Sequence, residues 1–296
     1  MRKRPSRPLC SKSTKFGLAA IFIGALLGFY VWGKGSRSEK SGLRQEKSGK
    51  MISYSNGVGE AYDNNNVFKT ANLLADDVPD NVLKLRDSVQ MTENRVDAIN
   101  VSVFYREALP PQGNFAKGDI LLLHGQAFSS QNWVDISTLK TFAAAGYRTI
   151  AVDLPGYGHT GGHSLTSEQK PLFLKDLISG LGLKKPVLVS PSMSGGFSMP
   201  FFMTYSHLLS AFIPVAPVST GDYTPEQYHK NRVPTLIVYG ERDTSLGISS
   251  KSHLQSLPNG RVLKIEKAGH PAYLNQPEIF HAAVINFLDL VRTYSH

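Results

Sequence analysis

The sequence predicts an α/β domain in which a mostly parallel central sheet carries helices on both of its faces. From about Met91, short β-prone runs alternate with stretches whose composition and length suit helices. The β-prone runs are apolar at nearly every position, which is typical of strands buried on both faces of a parallel sheet. Three runs are followed at once by chemically active side chains. Ligands of such sheets bind beyond the carboxyl ends of the strands, so we expect one functional edge.

The predicted elements follow one another in a regular order. An antiparallel pair, Arg95–Val103 with Phe104–Leu109, opens the domain. Further strands are predicted at Asp119–His124, Tyr147–Asp153, Pro186–Ser190, Ala211–Val218, Thr235–Gly240 and Arg261–Glu266. Helices are predicted at Asn132–Ala145, Ser167–Leu181, Gly195–Leu208, Ser249–Leu257 and Pro277–Thr293. Residues 219–234 leave room for one helix at most between two strands, so no lid domain is expected there.

The net charge of +9 arises at the N-terminus. Residues 1–50 hold 12 of the 32 Lys and Arg residues but only 2 of the 23 acidic residues. The remainder of the chain therefore carries slightly more acid than base. A nucleic-acid-binding domain carries its excess positive charge on its folded part. The composition thus argues against a nucleic-acid partner.

Phe16–Trp32 is an uncharged apolar run whose length is at the short end of what a bilayer requires. Six basic residues and no acidic residue precede it, and aromatic residues end it. We expect a signal anchor, with residues 1–15 as a basic cytoplasmic tail and the domain lumenal or extracellular, in a single-pass type II topology of the secretory pathway. The alternatives are a cleaved signal peptide, which would give a secreted protein, and a buried helix of a soluble protein. The single cysteine, Cys10, precedes this run, so the domain can form no internal disulfide.

Residues 33–90 are predicted to form a flexible stalk, because small and polar residues dominate and no apolar period is sustained. A short helix is compatible with Asp80–Ser88. The folded domain is then expected over 91–296. Asn100-Val-Ser102 is an N-glycosylation sequon, which can be used only if the domain is lumenal. It falls within a predicted strand.

The run Val187–Val189 ends in Ser190-Pro-Ser192-Met-Ser194, and a helix-compatible segment follows. This strand–turn–helix order is typical of a nucleophile elbow, whose usual pattern is G-x-S-x-G. Serine replaces both glycines here, and both positions must be small because strand and helix pack closely around the turn. The spacing makes Ser192 the candidate nucleophile. By itself, a serine-rich turn of this kind is more often only a turn.

Two further candidate residues follow later strands. Asp243 comes just after the predicted strand Thr235–Gly240, and His270 comes just after the strand that ends at Glu266. Serine, aspartate and histidine occur in this order in serine hydrolases built on α/β sheets. His270 would take the proton of the serine hydroxyl, and Asp243 would orient and stabilise the imidazole. Glu241, two residues before Asp243, is the alternative acid.

An acyl-transfer site also needs donors for the oxyanion of the tetrahedral intermediate. The backbone N–H of Met193, the residue after the nucleophile, is one candidate. The second is the N–H of Gln126, in the loop His124-Gly-Gln-Ala-Phe128 that follows a predicted strand. His124 and His159 are expected to be structural.

Several motifs resemble those of the α/β-hydrolase superfamily. They are Leu122-Leu-His-Gly, Asp153-Leu-Pro-Gly-Tyr-Gly, Ser190-Pro-Ser-Met-Ser-Gly, Ile237-Val-Tyr-Gly-Glu-Arg-Asp and Gly269-His-Pro-Ala-Tyr-Leu. Within that superfamily, residues 91–293 are similar to the family of α/β-hydrolase domain-containing protein 14. The marks of that narrower resemblance are Phe104-Tyr-Arg-Glu-Ala-Leu-Pro110, the Ser-Pro-Ser-x-Ser elbow, Phe212-Ile-Pro-Val-Ala-Pro217 and Ala-Gly-His-Pro.

The resemblance implies an α/β-hydrolase fold, hydrolysis of small esters, and Ser192, Asp243 and His270 as the catalytic triad. The predicted anchor resembles that of the membrane-bound branch of the family. The soluble branch is associated with removing acetyl groups from protein lysines, with coenzyme A as a candidate acyl acceptor. We therefore expect a serine hydrolase or acyl transferase that acts on a short acyl ester, thioester or acyl-amide, either small or carried on a protein.

Neither a metal nor an organic cofactor is expected for this chemistry. The open pocket that follows from the absent lid favours short acyl groups over long-chain triglycerides. The alternative function is that of a non-catalytic protein of the same fold that binds a partner or ligand.

Overall fold

The computed structural model describes residues 66–111 and 115–294, all of which belong to the unit formed by residues 60–296. The predicted cytoplasmic tail, the predicted anchor at 16–32 and the first part of the predicted stalk lie outside the described residues. Among the residues that are described, no helix combines the length and the apolarity that crossing a bilayer requires.

The core of the domain is an eight-stranded sheet with the order β1-β2-β4-β3-β5-β6-β7-β8. β2 runs antiparallel to both of its neighbours, and the other described strands run parallel to one another. The mostly parallel α/β sheet is therefore confirmed. The strands are β1 Met91–Ala98, β2 Val101–Ala108, β3 Asp119–Leu122, β4 Arg148–Val152, β5 Val187–Pro191, β6 Ala211–Val215, β7 Thr235–Gly240 and β8 Gly260–Ile265.

Ten helices of the described chain cover this sheet on both faces. They are α1 Val67–Thr70, α2 Asp80–Arg86, α3 Gln131–Asp135, α4 Thr138–Ala144, α5 Gln169–Gly180, α6 Gly195–Tyr205, α7 Pro225–His229, α8 Leu246–Leu254, α9 Ala272–Asn275 and α10 Pro277–Tyr294. Residues of α1–α4, α9 and α10 belong to one buried apolar cluster, and residues of α5–α8 belong to another. Successive strand residues alternate between the two clusters, as Ile120 and Leu121 do, because side chains point to opposite faces along a strand.

The opening hairpin turns earlier along the chain than the predicted junction between Val103 and Phe104. Its two-residue turn is Ile99-Asn100, and both residues have positive φ, 45° and 61°. Positive φ at both central positions suits the right-handed twist of a hairpin, and asparagine tolerates it well. The predicted strand through Asn100 is thus interrupted, and the sequon asparagine lies exposed at the tip of the turn.

The connection between β6 and β7 contains a 3₁₀ turn at Thr220–Asp222 and the five-residue helix α7. These two short elements agree with the expectation that the connection holds no lid domain. β6 ends at Val215, earlier than predicted, because Ala216 and Ser219 take positive φ values of 44° and 64° and turn the chain. These turns bring the connection close to the elbow.

Residues 66–90, which the sequence placed in the flexible stalk, pack against the core instead. We call Asn66–Gln90 the strap. Phe68, Leu73, Val82 and Val89 are buried in the cluster that contains α10. The sequence did not predict that the strap is part of the folded domain, because these four buried residues follow neither a helical nor a strand period and are separated by polar residues.

Polar contacts also hold the strap to the domain. The Nδ2 of Asn286 donates to the carbonyl oxygens of Leu73, at 3.0 Å, and Asp76, at 2.8 Å. The Nδ2 of Asn66 donates to the side-chain oxygen of Asn259 at 2.8 Å. The strap therefore belongs to the folded domain rather than to a linker.

Candidate active site

The predicted elbow is a sharp turn between β5 and α6. Pro191 ends the strand in an extended conformation, and Ser192 then takes a φ of 51°. A left-handed conformation costs a non-glycine residue about 1–2 kcal/mol and is found at functional sites that the surrounding structure holds in place. A short 3₁₀ turn, Ser192–Ser194, leads directly into α6. The strained serine at this turn agrees with the sequence-based assignment of an elbow.

Close backbone contacts fix the turn from the side of β6. The N–H of Val218 donates to the carbonyl oxygen of Ser192 at 3.0 Å. A Cβ added at Gly195 would lie 2.4 Å from the carbonyl oxygen of Val218, so glycine is required there. The role of Val218 could not be found from the sequence, because its partner is far away along the chain.

The structure brings the three predicted triad residues into one hydrogen-bonded chain. The Oγ of Ser192 lies 2.8 Å from the Nε2 of His270. The Nδ1 of His270 lies 2.6 Å from the Oδ2 of Asp243. The side chain of Asp243 is 6% exposed and that of His270 is 39% exposed. A buried carboxylate, an imidazole and an accessible hydroxyl in this order form the arrangement that activates a serine nucleophile.

The loop after β7 is shaped to hold Asp243. The N–H of Asp243 donates to the carbonyl oxygen of Gly240 at 3.0 Å, closing a tight turn. A Cβ added at Gly247 would lie 2.9 Å from the Oδ2 of Asp243. A Cβ at Gly240 would come within 2.0 Å of the carbonyl oxygen of Gly269, in the loop that carries His270. The acid and histidine loops therefore pack backbone to backbone, which fixes their separation.

Glu241, the alternative acid, is engaged elsewhere. Its Oε2 accepts a hydrogen bond from the N–H of Lys267 at 2.9 Å, and its Oε1 lies 3.5 Å from the Nζ of Lys264. The Lys267 backbone hydrogen bond, aided by the nearby Lys264 ammonium, lowers the pKa of Glu241. The geometry thus favours Asp243 as the partner of His270.

The loop predicted to supply an oxyanion donor lies beside the nucleophile. A Cβ added at Gly125 would lie 3.6 Å from the Cβ of Ser192. Gln126 is the next residue and is exposed, and Met193 is half-buried in the middle of the 3₁₀ turn. The two predicted donors are therefore on segments that flank Ser192.

His124 holds this loop and is structural, as expected. The N–H of Leu154 donates to its Nε2 at 3.0 Å, so its Nδ1 carries the proton and donates to the carbonyl oxygen of Gly125 at 2.8 Å. Burial lowers the pKa of His124, which keeps the ring neutral and suits this pair of hydrogen bonds.

Asp153 is a supporting residue whose role the sequence did not reveal. It is fully buried, and its carboxylate accepts hydrogen bonds from the N–H groups of Ser130, at 2.7 Å, and His159, at 2.8 Å. It therefore ties the residue before α3 to the glycine-rich turn after β4. Gly158 belongs to that turn, and glycine is required there because a Cβ would lie 2.2 Å from the Oδ2 of Asp153.

Within residues 66–111 and 115–294, no group of three or more His, Cys, Asp and Glu side chains is placed to hold a metal ion. The remaining histidines of interest are structural. His253 contacts the hydroxyl of Thr220 at 3.0 Å, and His281 is buried against the hydroxyl of Thr138 at 2.9 Å.

Comparisons with known proteins place this fold among the α/β hydrolases. Residues 120–215 match the family model described as "Alpha/beta hydrolase family". "Protein ABHD14A" of Danio rerio is 44% identical over 192 residues, which are 63% of this chain and 71% of that protein. "Putative protein-lysine deacylase ABHD14B" of Homo sapiens is 42% identical over 205 residues, which are 68% of this chain and 97% of that protein.

A solved structure shows the same fold. A protein described as a predicted CIB-like hydrolase from Thermoplasma acidophilum has a TM-score of 0.62 and 26% sequence identity, with 68% of this chain and 98% of that chain covered. The fold and the site thus define an α/β hydrolase. The chain belongs to the α/β-hydrolase family, and within that family it groups with the ABHD14 proteins.

Proposed function

We propose that this protein is a serine hydrolase that cleaves a short acyl ester, thioester or acyl-amide through an acyl-enzyme on Ser192. The observation that carries the proposal is the continuous chain of contacts from Ser192 through His270 to the buried Asp243. The left-handed backbone of Ser192 adds support, because strain of this kind is characteristic of nucleophile elbows.

The proposed reaction follows the contacts. Ser192 Oγ attacks the carbonyl carbon while its proton passes to His270 Nε2, and Asp243 stabilises the imidazolium. The N–H groups of Met193 and Gln126 bind the oxyanion, a contribution of about 3 kcal/mol for each donor. His270 then gives its proton to the leaving oxygen, sulfur or nitrogen, and the bond to the leaving group breaks. Water, or another acceptor, then attacks the acyl carbon as His270 takes its proton; the bond from that carbon to Ser192 Oγ breaks, and His270 returns the proton to Ser192.

Two observations support a short or carrier-bound acyl group. The connection between β6 and β7 holds no lid domain, and the side chain of His270 is 39% exposed. The name of the human relative ABHD14B refers to protein-lysine deacylation, so an acylated protein is a reasonable substrate class. Coenzyme A remains a candidate acyl acceptor rather than a resident cofactor.

The proposal is tested by labelling the full chain with a fluorophosphonate, which reacts with activated serines. Wild type is expected to react, and Ser192→Ala is expected to lose all labelling. Ser252→Ala, which removes an exposed hydroxyl on α8, is the matched control and should label like wild type. A folded wild-type protein that does not react would contradict the proposal and favour the non-catalytic binding function.

We also propose that residues 16–32 anchor the protein in a membrane of the secretory pathway, with the domain lumenal or extracellular. The apolar run and the basic residues before it support this topology. The exposed position of Asn100 at a hairpin tip is compatible with glycosylation.

The topology is tested in sealed microsomes from cells that express the full chain. The domain should resist added protease until detergent is present, and glycosidase should shift wild type but not Asn100→Gln. Asn94→Gln, on the neighbouring strand, controls for the substitution. Digestion of the domain in intact microsomes would overturn the lumenal placement, and release into the medium would favour the secreted form.

A further inference from the structure

The two serines that replace the elbow glycines form a buried hydroxyl cluster with a third serine. Ser190, at the end of β5, lies 2.9 Å from the hydroxyl of Ser194 and donates to the hydroxyl of Ser198, on α6, at 2.6 Å. All three side chains are fully buried. We call Ser190, Ser194 and Ser198 the serine cluster.

One contact of this cluster reaches the backbone beside the nucleophile. The hydroxyl of Ser194 donates to the carbonyl oxygen of Pro191 at 2.7 Å. That carbonyl belongs to the peptide unit that joins Pro191 to Ser192. The orientation of this peptide plane determines the φ of Ser192, which is 51°. The hydrogen bond therefore acts on the strained dihedral angle that presents the catalytic hydroxyl.

The directions of these contacts assign the protons of Ser190 and Ser194. Ser190 gives its proton to Ser198, so the proton in the contact between Ser190 and Ser194 must come from Ser194. Ser194 thus shares one proton between the Pro191 carbonyl and the Ser190 oxygen. Because the site is buried, a hydroxyl lost here is not replaced by bulk solvent, and the remaining partners stay unsatisfied.

We propose that Ser194 is a positioning residue that holds the Pro191–Ser192 peptide in the orientation required for nucleophilic attack. Glycine at this position would be small enough for the turn but could not form this hydrogen bond. The serine elbow would thus combine small size with a specific restraint on the nucleophile. The inference rests on the proposed serine hydrolase function.

The test compares Ser194→Ala with Ser198→Ala in the full chain. Both variants remove one buried hydroxyl, but only Ser194→Ala removes the hydrogen bond to Pro191. In Ser198→Ala, the proton of Ser190 becomes free to donate to Ser194, and the Pro191 contact remains. A purely structural role predicts similar losses of thermal stability and similar reactivity in the two variants.

The positioning role predicts a different result. Ser194→Ala should lower the fluorophosphonate labelling rate and the kcat for a short aryl ester about 10- to 100-fold, the loss expected when a reacting group is displaced by a fraction of an ångström to one ångström. KM should change little, and Ser198→Ala should react like wild type. Ser194→Gly, which restores the usual motif residue, should show the same loss of kcat.

The outcomes separate this inference from the proposed function. Wild type that labels, together with Ser194→Ala and Ser194→Gly proteins that label at the wild-type rate, would overturn the positioning role and leave the hydrolase function intact. Ser190→Ala provides a further measurement, because it removes the oxygen that competes with the Pro191 carbonyl for the Ser194 proton. Its labelling rate should stay at or above that of wild type, and a loss as large as that of Ser194→Ala would show that the buried serines act through packing rather than through the hydrogen bond to Pro191.

Discussion

The carboxyl edge of the sheet and the strap are attached to the same core by different kinds of interaction. At the carboxyl edge, Ser192 holds a strained backbone, and the loops of Asp243 and His270 are in contact through glycines. The strap is held by buried apolar side chains and by side-chain hydrogen bonds to its backbone, such as those from Asn286. The edge therefore fixes geometry, whereas the strap adds stability at a distance from the chemistry.

This difference predicts that substitutions in the two regions separate activity from stability. A change at the edge should reduce kcat while the free energy of unfolding stays nearly constant. A change in the strap should reduce the free energy of unfolding while the folded molecules keep their activity. The following predictions test the separation, beginning with the largest expected effect.

The first prediction concerns Asp243→Asn. The neutral amide favours the wrong tautomer of His270 and cannot stabilise the imidazolium, so kcat for a short aryl ester should fall by about 10⁴-fold. Thermal unfolding should change little, because the side chain keeps its size. Glu241→Gln, in the same loop, is the control and should remain close to wild type. An equally large loss of kcat in Glu241→Gln would contradict the assignment of Asp243 as the acid that partners His270.

The second prediction concerns the largest apolar contact of the strap. Phe68 is buried and packs edge to face against Phe287 on α10, with ring centroids 6.4 Å apart. Phe68→Ala should lower the free energy of unfolding by about 3–5 kcal/mol, as measured by denaturant titration. The labelling rate of the remaining folded protein should equal that of wild type. Phe115→Ala, at a fully exposed phenylalanine, should leave stability unchanged.

A selective loss of labelling in folded Phe68→Ala protein would contradict the separation. It would mean that the strap influences the elbow through the sheet. Equal stability of the Phe68→Ala and Phe115→Ala proteins would show instead that the strap contributes nothing to the fold.

The same two regions show what the sequence could and could not predict. Ser192, Asp243 and His270 each follow a strand, and a parallel sheet brings such positions to one edge, so spacing and order were enough to group them. No such rule applies to the strap, because Phe68 and Val82 are buried through tertiary contacts and their spacing follows no regular period. Propensity also could not place the turn at Ile99-Asn100, which the register of the hairpin decides.

Supporting contacts at the site were also beyond sequence analysis. The carboxylate of Asp153 binds backbone N–H groups on two separate loops, and the proton of Ser194 reaches a carbonyl three residues earlier. Such bonds depend on side-chain rotamers and on the close approach of distant segments. Residue type and spacing therefore located the three candidate residues, whereas the hydrogen bonds that surround them could be found only from the three-dimensional structure.

The third prediction concerns pH and stability where the strap meets the core. Burial, together with the positive charge of Arg86 on the strap, lowers the pKa of His281 to about 4. In the unfolded chain the imidazole takes up its proton near pH 6.5. Between these values the unfolded state binds more protons than the native state, so the free energy of unfolding falls as the pH drops. The contribution of His281 to this loss is about 3 kcal/mol in total.

This prediction is checked by denaturant titrations between pH 7 and pH 4. His281→Gln, which can still contact the hydroxyl of Thr138, should show a smaller loss of stability across this range than wild type. Identical pH slopes in the two proteins would show that other groups cause the acid sensitivity.

The smallest predicted effect is that of Asn286→Ala, which removes two hydrogen bonds to the strap. The acceptors are the carbonyl oxygens of Leu73 and Asp76, and the bond to Asp76 is exposed. Water can replace an exposed donor in part, so the free energy of unfolding should fall by only about 1 kcal/mol. Asn94→Ala, which removes an exposed hydrogen bond to Thr92 of the same strand, is the control. Because both acceptors belong to the strap, Asn286→Ala should raise the hydrogen exchange of strap amides and leave the exchange of the elbow amides unchanged. Faster exchange at the elbow would show that the two regions open together, and the distinction between them would then fail.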